Sequence, residues 1–239
     1  MTVIASEVER FNRLSATWWN REGPMRPLHV TNALRLEFIS GLMARHFRMT
    51  DAHALDGLGV LDVGCGGGLL SEPLAERGAR VLGVDASRGN IASARTHAEH
   101  SGVAVQYRVG EPATALAAAE RFDVVLALEV VEHVSDVQAF ITTAAGHVAP
   151  GGLLFVSTID RTWKSWLFAI FGAEYVFRVL PCGTHKWRRF VRPAELEATV
   201  REAGFAVTEL RGMRYLPVLH RASWTRGTSV NYIAAFARR

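Results

Sequence analysis

The sequence predicts a doubly wound α/β domain on a mostly parallel sheet, and three observations carry that prediction. Short apolar runs alternate with helical segments through the middle of the chain. The first run, Val60-Leu61-Asp62-Val63, empties into the glycine cluster Gly64-Cys65-Gly66-Gly67-Gly68, and the second, Val81 to Val84, ends at Asp85. Strands that alternate with helices cross over right-handed and are covered on both faces. With 239 residues, 49% of them hydrophobic and 21% charged, the chain can build one large core and is far from a disordered composition.

In order, Val8, Phe11, Leu14 and Trp18 recur at helical spacing from Ser6. After the breaks at Gly23-Pro24 and Pro27, Leu34, Phe38 and Leu42 mark a second amphipathic helix, with Thr31 or Asn32 as its N-cap. The glycine cluster leads into a helix that Gly78 stops, and Ile91 to His100 forms another that Gly102 ends. Val103, Val105 and Tyr107 alternate as a third strand, and Phe122 to Leu128 reads as a strand buried on both faces. Ser135-Asp136 opens a helix closed by Pro150-Gly151-Gly152, and Leu153 to Ser157 is the fifth strand. A helix over Glu195 to Ala203 ends at Gly204, and Phe205 to Leu210 and Val230 to Phe236 close a seven-stranded sheet. The organisation expected is an N-terminal helical cap over 1–55, a core over 56–159, an insertion over 160–192, and closing elements over 193–239.

Lys plus Arg number 27 against 23 Asp plus Glu, a mild cationic excess that permits anionic partners without demanding them. Two cysteines, Cys65 and Cys182, make no disulfide framework, and no leader pattern opens the chain, so a reduced cytoplasmic compartment is expected. The most apolar stretch, Trp163 to Val179, is interrupted by Lys164, Gly172, Glu174 and Arg178 and falls short of a membrane span.

Glycines between strand and helix let a ligand approach the backbone, with helix N–H groups aimed at its anionic atoms. A dinucleotide fingerprint needs a third glycine where this chain has Leu69. Asp62 adds a negative charge that suits an ammonium or sulfonium better than a pyrophosphate. Asp85 stands 21 residues after Gly64 (85 − 64), close to the spacing at which a carboxylate takes ribose hydroxyls. Together these describe a nucleoside with an amino-acid tail, and S-adenosylmethionine is the cofactor expected.

Glu129, Glu132 and His133 follow the strand Phe122 to Leu128 at its C-terminal end, where ligands sit in open α/β sheets. If Glu129 starts a helical turn, all three share one face and could hold Mg²⁺, with Mn²⁺ or Zn²⁺ also conceivable. Alternatively His133 is a general base without metal, or Glu132-His133 is a structural pair. The segment after Asp160 mixes Trp163, Trp166, Phe168, Phe171, Tyr175 and Phe177 with Arg161, Lys164, Arg178, Lys186, Arg188 and Arg189. That composition suits an anionic lipid surface, and a lid or an oligomer contact is the competing reading. Nucleic acid is not expected, since carboxylates stand where a phosphate-rich ligand would approach.

Leu61-Asp62-Val63-Gly64-Cys65-Gly66-Gly67-Gly68 and Gly83-Val84-Asp85 resemble the class I S-adenosylmethionine-dependent methyltransferases, whose fold is Rossmann-like. Further matches run through Trp18-Trp19, Pro27-Leu28-His29, Asn32-Ala33-Leu34-Arg35, Glu129-Val130-Val131-Glu132-His133-Val134, Lys164-Ser165-Trp166, Gly183-Thr184-His185 and Val230-Asn231-Tyr232. Through them the chain resembles the ubiquinone-biosynthesis O-methyltransferase family. The resemblance implies methylation of a phenolic hydroxyl on polyprenylated catechol or quinol intermediates, in both O-methylation steps, at the inner face of a bacterial membrane and in possible company with other proteins of the pathway. It also implies cofactor contacts from Arg35, Gly64, Gly66, Asp85 and Leu128, and a metal site at Glu129, Glu132 and His133. Ala33 stands where that motif often has proline.

Overall fold

The computed structural model describes residues 2–51, 54–162 and 190–239. The chain opens with α1 (Ala5–Leu14), a 3-10 turn over Ser15–Thr17, and α2 (Arg26–His46). The core follows as β1 (Gly59–Val63), α3 (Ser71–Glu76), β2 (Arg80–Asp85), α4 (Arg88–Ser101), β3 (Gln106–Val109), α5 (Pro112–Ala115), β4 (Phe122–Leu128), a 3-10 turn over Val131–His133, α6 (Val137–Gly146) and β5 (Val148–Ile159). After the undescribed stretch come α7 (Pro193–Glu202), β6 (Phe205–Leu216), β7 (Arg221–Thr225) and β8 (Asn231–Arg238).

The sheet order is β3-β2-β1-β4-β5-β8-β6-β7. The first five strands in that order are parallel, and β8, β6 and β7 close the sheet antiparallel. The architecture is therefore the expected doubly wound one, with one strand more than the seven expected. The addition is β7, which pairs with a β6 longer than predicted and turns the stretch around Pro217 into a hairpin.

Alternate residues of the central strands face two separate cores. Leu61, Val63, Val125 and Val156 pack with Phe140 and Ile141 of α6 and Leu196 of α7. Val60, Val124, Leu126 and Phe155 pack on the other side with Phe38, Ile39, Leu42 and Met43 of α2. Every one of these side chains is buried. At about 1.5–3 kcal/mol for each large apolar side chain, this two-sided burial is what stabilises the sheet and fixes its loops.

Several boundaries moved for identifiable reasons. α2 starts at Arg26 behind Met25 and tolerates Pro27 in its first turn, while the Thr31 hydroxyl bonds back to the Pro27 carbonyl instead of capping. The third strand begins at Gln106, so Val103 and Val105 lie outside it. Pro150-Gly151-Gly152 sits inside β5, not at a helix end, and α6 stops at Gly146. Glu129 does not begin a helical turn. Its backbone is left-handed at φ 55°, and the helical turn starts two residues later.

Candidate active site

The C-terminal ends of β1, β2, β3 and β4 open into one cavity of about 730 Å³. Gly64 and Gly66 line it from the β1 loop, both at positive φ (72° and 56°). A Cβ at Gly64 would lie 2.8 Å from Val130, and one at Gly66 2.4 Å from the Trp18 ring. Sterics thus require glycine at both positions. Asp85 closes this loop by accepting hydrogen bonds from the Gly66 and Ser87 amides (3.0 and 2.8 Å) and from Asn90 Nδ2 (3.2 Å). Burial raises its pKa, against the pull of those donors. Leu128 and the turn Gly110-Glu111-Pro112 complete this end of the cavity.

Asp62 also lines the cavity but is more deeply set than its sequence position suggested. Its carboxylate accepts the Ser71 hydroxyl at 2.6 Å, and burial pushes its pKa up to about 6 although that bond lowers it. Part of its role is therefore to anchor the start of α3.

The N-terminal segment roofs the loop. The Trp18 indole donates to Asn90 Oδ1 at 2.8 Å, and the Trp19 indole donates to the Gly67 carbonyl at 2.9 Å while stacking on His97. The Ser87 hydroxyl and Gly89 amide both donate to Asn12 Oδ1 of α1. Sequence reasoning missed Asn12, Ser87 and Asn90, because such contacts join positions about 75 residues apart and leave no local periodicity.

The part of the cavity wall that follows Leu128 is acidic. Arg35, 2% exposed, sends Nη2 to Glu129 Oε1 at 2.6 Å. Glu129 also accepts from the Ser157 hydroxyl (2.8 Å) and from Asn231 Nδ2 (3.3 Å). Glu132 is buried and accepts the Thr158 hydroxyl at 2.8 Å. Burial first, and the charge of Glu129 second, push its pKa up to about 7, with His133 opposing them. His133 Nδ1 lies 3.2 Å from Glu7 Oε2 of α1, and the His133 ring meets the edge of Phe11. Nδ1 is thereby set beside a carboxylate, and His133 lines the cavity. Glu7 was not anticipated, since nothing in α1 itself marks it.

The structure thus brings Arg35, Glu129, Glu132 and His133 to one cavity, but the left-handed turn at Glu129 does not stack the last three on a helical face. Among the described residues, no three His, Cys, Asp or Glu side chains converge as a metal-holding group. The charge of Glu129 is balanced by Arg35. Two buried polar atoms at this end, Arg35 Nε and Asn231 Oδ1, have no hydrogen-bond partner among the described residues. Buried polar atoms left open beside a cavity are places for a polar ligand. Of the aromatic and basic insertion expected over 160–192, residues 163–189 lie outside the described residues.

A family model described as a methyltransferase domain matches residues 33–210. The ubiquinone biosynthesis O-methyltransferase of Azorhizobium caulinodans is 52% identical over 97% of this chain and 92% of its own length. The enzyme of the same name from a Methylobacterium species is 48% identical over 99% of this chain and 96% of its own. Among solved structures, a magnesium protoporphyrin IX methyltransferase from Synechocystis with bound S-adenosylhomocysteine superposes with a TM-score of 0.64 at 22% identity, covering 86% of this chain and 83% of that one. The plantazolicin methyltransferase, also with S-adenosylhomocysteine, gives a TM-score of 0.67 at 14% identity over 98% and 97%. At such identities the structures establish the shared fold.

Proposed function

The chain belongs to the ubiquinone biosynthesis O-methyltransferase family, and from that premise we propose that one cavity holds S-adenosylmethionine at its glycine end and a polyprenylated catechol or quinol at its acidic end. The enzyme is an O-methyltransferase of ubiquinone biosynthesis. The observation that carries the assignment of ends is the contrast between them: a glycine-lined loop with Asp85 on one side, carboxylates and an imidazole on the other. The donor set fits the cofactor. Gly64 and Gly66 offer close backbone approach, Asp85 a carboxylate for ribose hydroxyls, Leu128 an apolar contact, and Arg35, which reaches in from the acidic side where it pairs with Glu129, an open Nε for the amino-acid carboxylate.

S-adenosylmethionine supplies an activated methyl group, so the protein has to orient the acceptor oxygen in line and take its proton. His133 is placed for the proton. Glu7 lies beside Nδ1, and Nε2 is the nitrogen proposed to receive a phenolic hydrogen. Glu132, neutral for part of the time near pH 7, lies buried at the floor and disfavours a second negative charge beside Glu129.

By donor type, Glu129, Glu132 and His133 are the residues proposed to hold a divalent cation such as Mg²⁺, although they do not converge as a metal-holding group in this structure. Glu129 would exchange Arg35 for the ion. Such an ion would lower the pKa of a chelated catechol hydroxyl.

The segment from Arg161 to Arg189 is proposed as the contact with anionic lipid on the cytoplasmic face, on its aromatic and basic composition. Among the described residues no helix is long and apolar enough to cross a membrane. A complex with other proteins of the pathway would present the lipid substrate in the same place.

The test is transfer of labelled methyl from S-adenosylmethionine to a short-chain demethylated quinol kept reduced, with EDTA and then with Mg²⁺ added back. Turnover lost and restored supports the quinol and the cation together. Turnover indifferent to EDTA removes the cation and leaves His133 as base. Absence of transfer with cofactor bound contradicts the acceptor assignment.

A further inference from the structure

The wall of the cavity continues along β6 into the β6–β7 hairpin, and the end of that hairpin is unusually apolar for a surface turn. Leu216 is 37% exposed, Val218 74% and Leu219 63%. These three and Pro217 line the same cavity that contains Glu129, Glu132 and His133. The turn is held in shape. Leu216 pairs with Arg221 at the last rung, Tyr215 Oη bonds His220 Nδ1 at 2.7 Å, and His220 takes a left-handed φ of 45°. A clasped turn that keeps large apolar side chains in water gains nothing for folding, so its apolarity calls for a ligand.

We propose that this tip is the subsite for the isoprenoid tail of the acceptor, where the tail leaves the cavity. The assignment rests on the acceptor class given above. Its geometry follows from the ladder. Met213 on β6 pairs with Asn231, whose amide contacts Glu129, so β6 starts its outward run beside the acidic floor. Three strand rises, roughly 10 Å, carry the chain from Met213 to Leu216. A ring seated at the floor has its tail delivered along this strand to Leu216, Val218 and Leu219. Burial of a hydrocarbon chain against these side chains removes apolar surface of both partners from water.

The test compares two acceptors in neutral detergent, a demethylated quinol carrying an isoprenoid tail and one lacking it, with wild type and the double variant Val218→Asp, Leu219→Asp. The expected result is a fall of about tenfold or more in kcat/KM for the tailed acceptor, seen mainly in KM, with the tail-less acceptor unchanged. Unchanged tail-less turnover also shows that the variant folds. The conservative pair Val218→Ile, Leu219→Met keeps wild-type discrimination. Equal effects on both acceptors, or none on either, would overturn the proposal. The same holds if the loss appears only with substrate in anionic vesicles and not in detergent, which assigns the tip to lipid. A wild type that methylates neither acceptor would overturn the acceptor class itself and this subsite with it.

Discussion

The two ends of the cavity are built in opposite ways. At the glycine end, Gly64, Gly66 and Asp85 belong to two consecutive parallel strands and their loops, within 22 residues of one another counted inclusively (85 − 64 + 1). Their backbone path is set by local sterics and a buried sheet, onto which Trp18, Trp19 and Asn12 of the N-terminal segment dock. At the acidic end, Glu7 meets His133, Arg35 meets Glu129, and Asn231 meets Glu129 across 102 residues. That end exists only when the N-terminal helices, the turn after β4 and the closing antiparallel strands have all docked. On the proposed assignment, the difference teaches that acceptor handling depends on long-range tertiary assembly more than the glycine loop does.

The largest effect that would sharpen this contrast comes from Asp85→Ala. It removes charge-assisted bonds from the glycine loop, and affinity for S-adenosylhomocysteine should fall about 100-fold by calorimetry, the loss of one or two such bonds. The acidic end should keep its ion pair and its thermal stability contribution. Wild-type affinity in this variant would break the assignment of ends.

Next in size is Arg35→Ala. It leaves Glu129 without its cation beside a buried Glu132, and denaturant unfolding should show a loss of about 2 kcal/mol, discounted from a fully buried pair because Glu129 is partly exposed. Adding Glu129→Gln should recover most of it. No recovery would mean that Arg35 stabilises through packing alone.

The smallest effect is a slope. Glu132 has its folded pKa raised from about 4.5 to about 7, so the folded chain binds the proton more tightly than the unfolded one. Stability therefore falls as pH rises through that window, as the folded state is forced to give up the proton. Glu132→Gln should flatten the decline in Tm across it, and an unchanged slope would place the titration elsewhere.

The sequence disclosed the glycine end almost completely, because a strand, a glycine cluster and an acidic residue at fixed spacing are constrained by their neighbours in the chain. The acidic end was legible as residues but not as geometry. Glu129, Glu132 and His133 could be picked out by type, yet the left-handed backbone at Glu129 has no signature in Leu128-Glu129-Val130 and moves its carboxylate to Arg35. Glu7 reads as one more acidic residue in the first turn of an amphipathic helix. β7 was hidden for a related reason, since Arg221-Ala222-Ser223-Trp224-Thr225 is a half-exposed edge strand with weak alternation.

The most direct test of the divided cavity is to measure cofactor affinity and quinol methylation on the same preparation of His133→Ala. The account predicts S-adenosylhomocysteine affinity within about twofold of wild type and turnover reduced by roughly 10²-fold or more, the range for a removed general base or its equivalent. Affinity and turnover falling together, or turnover surviving, would contradict it.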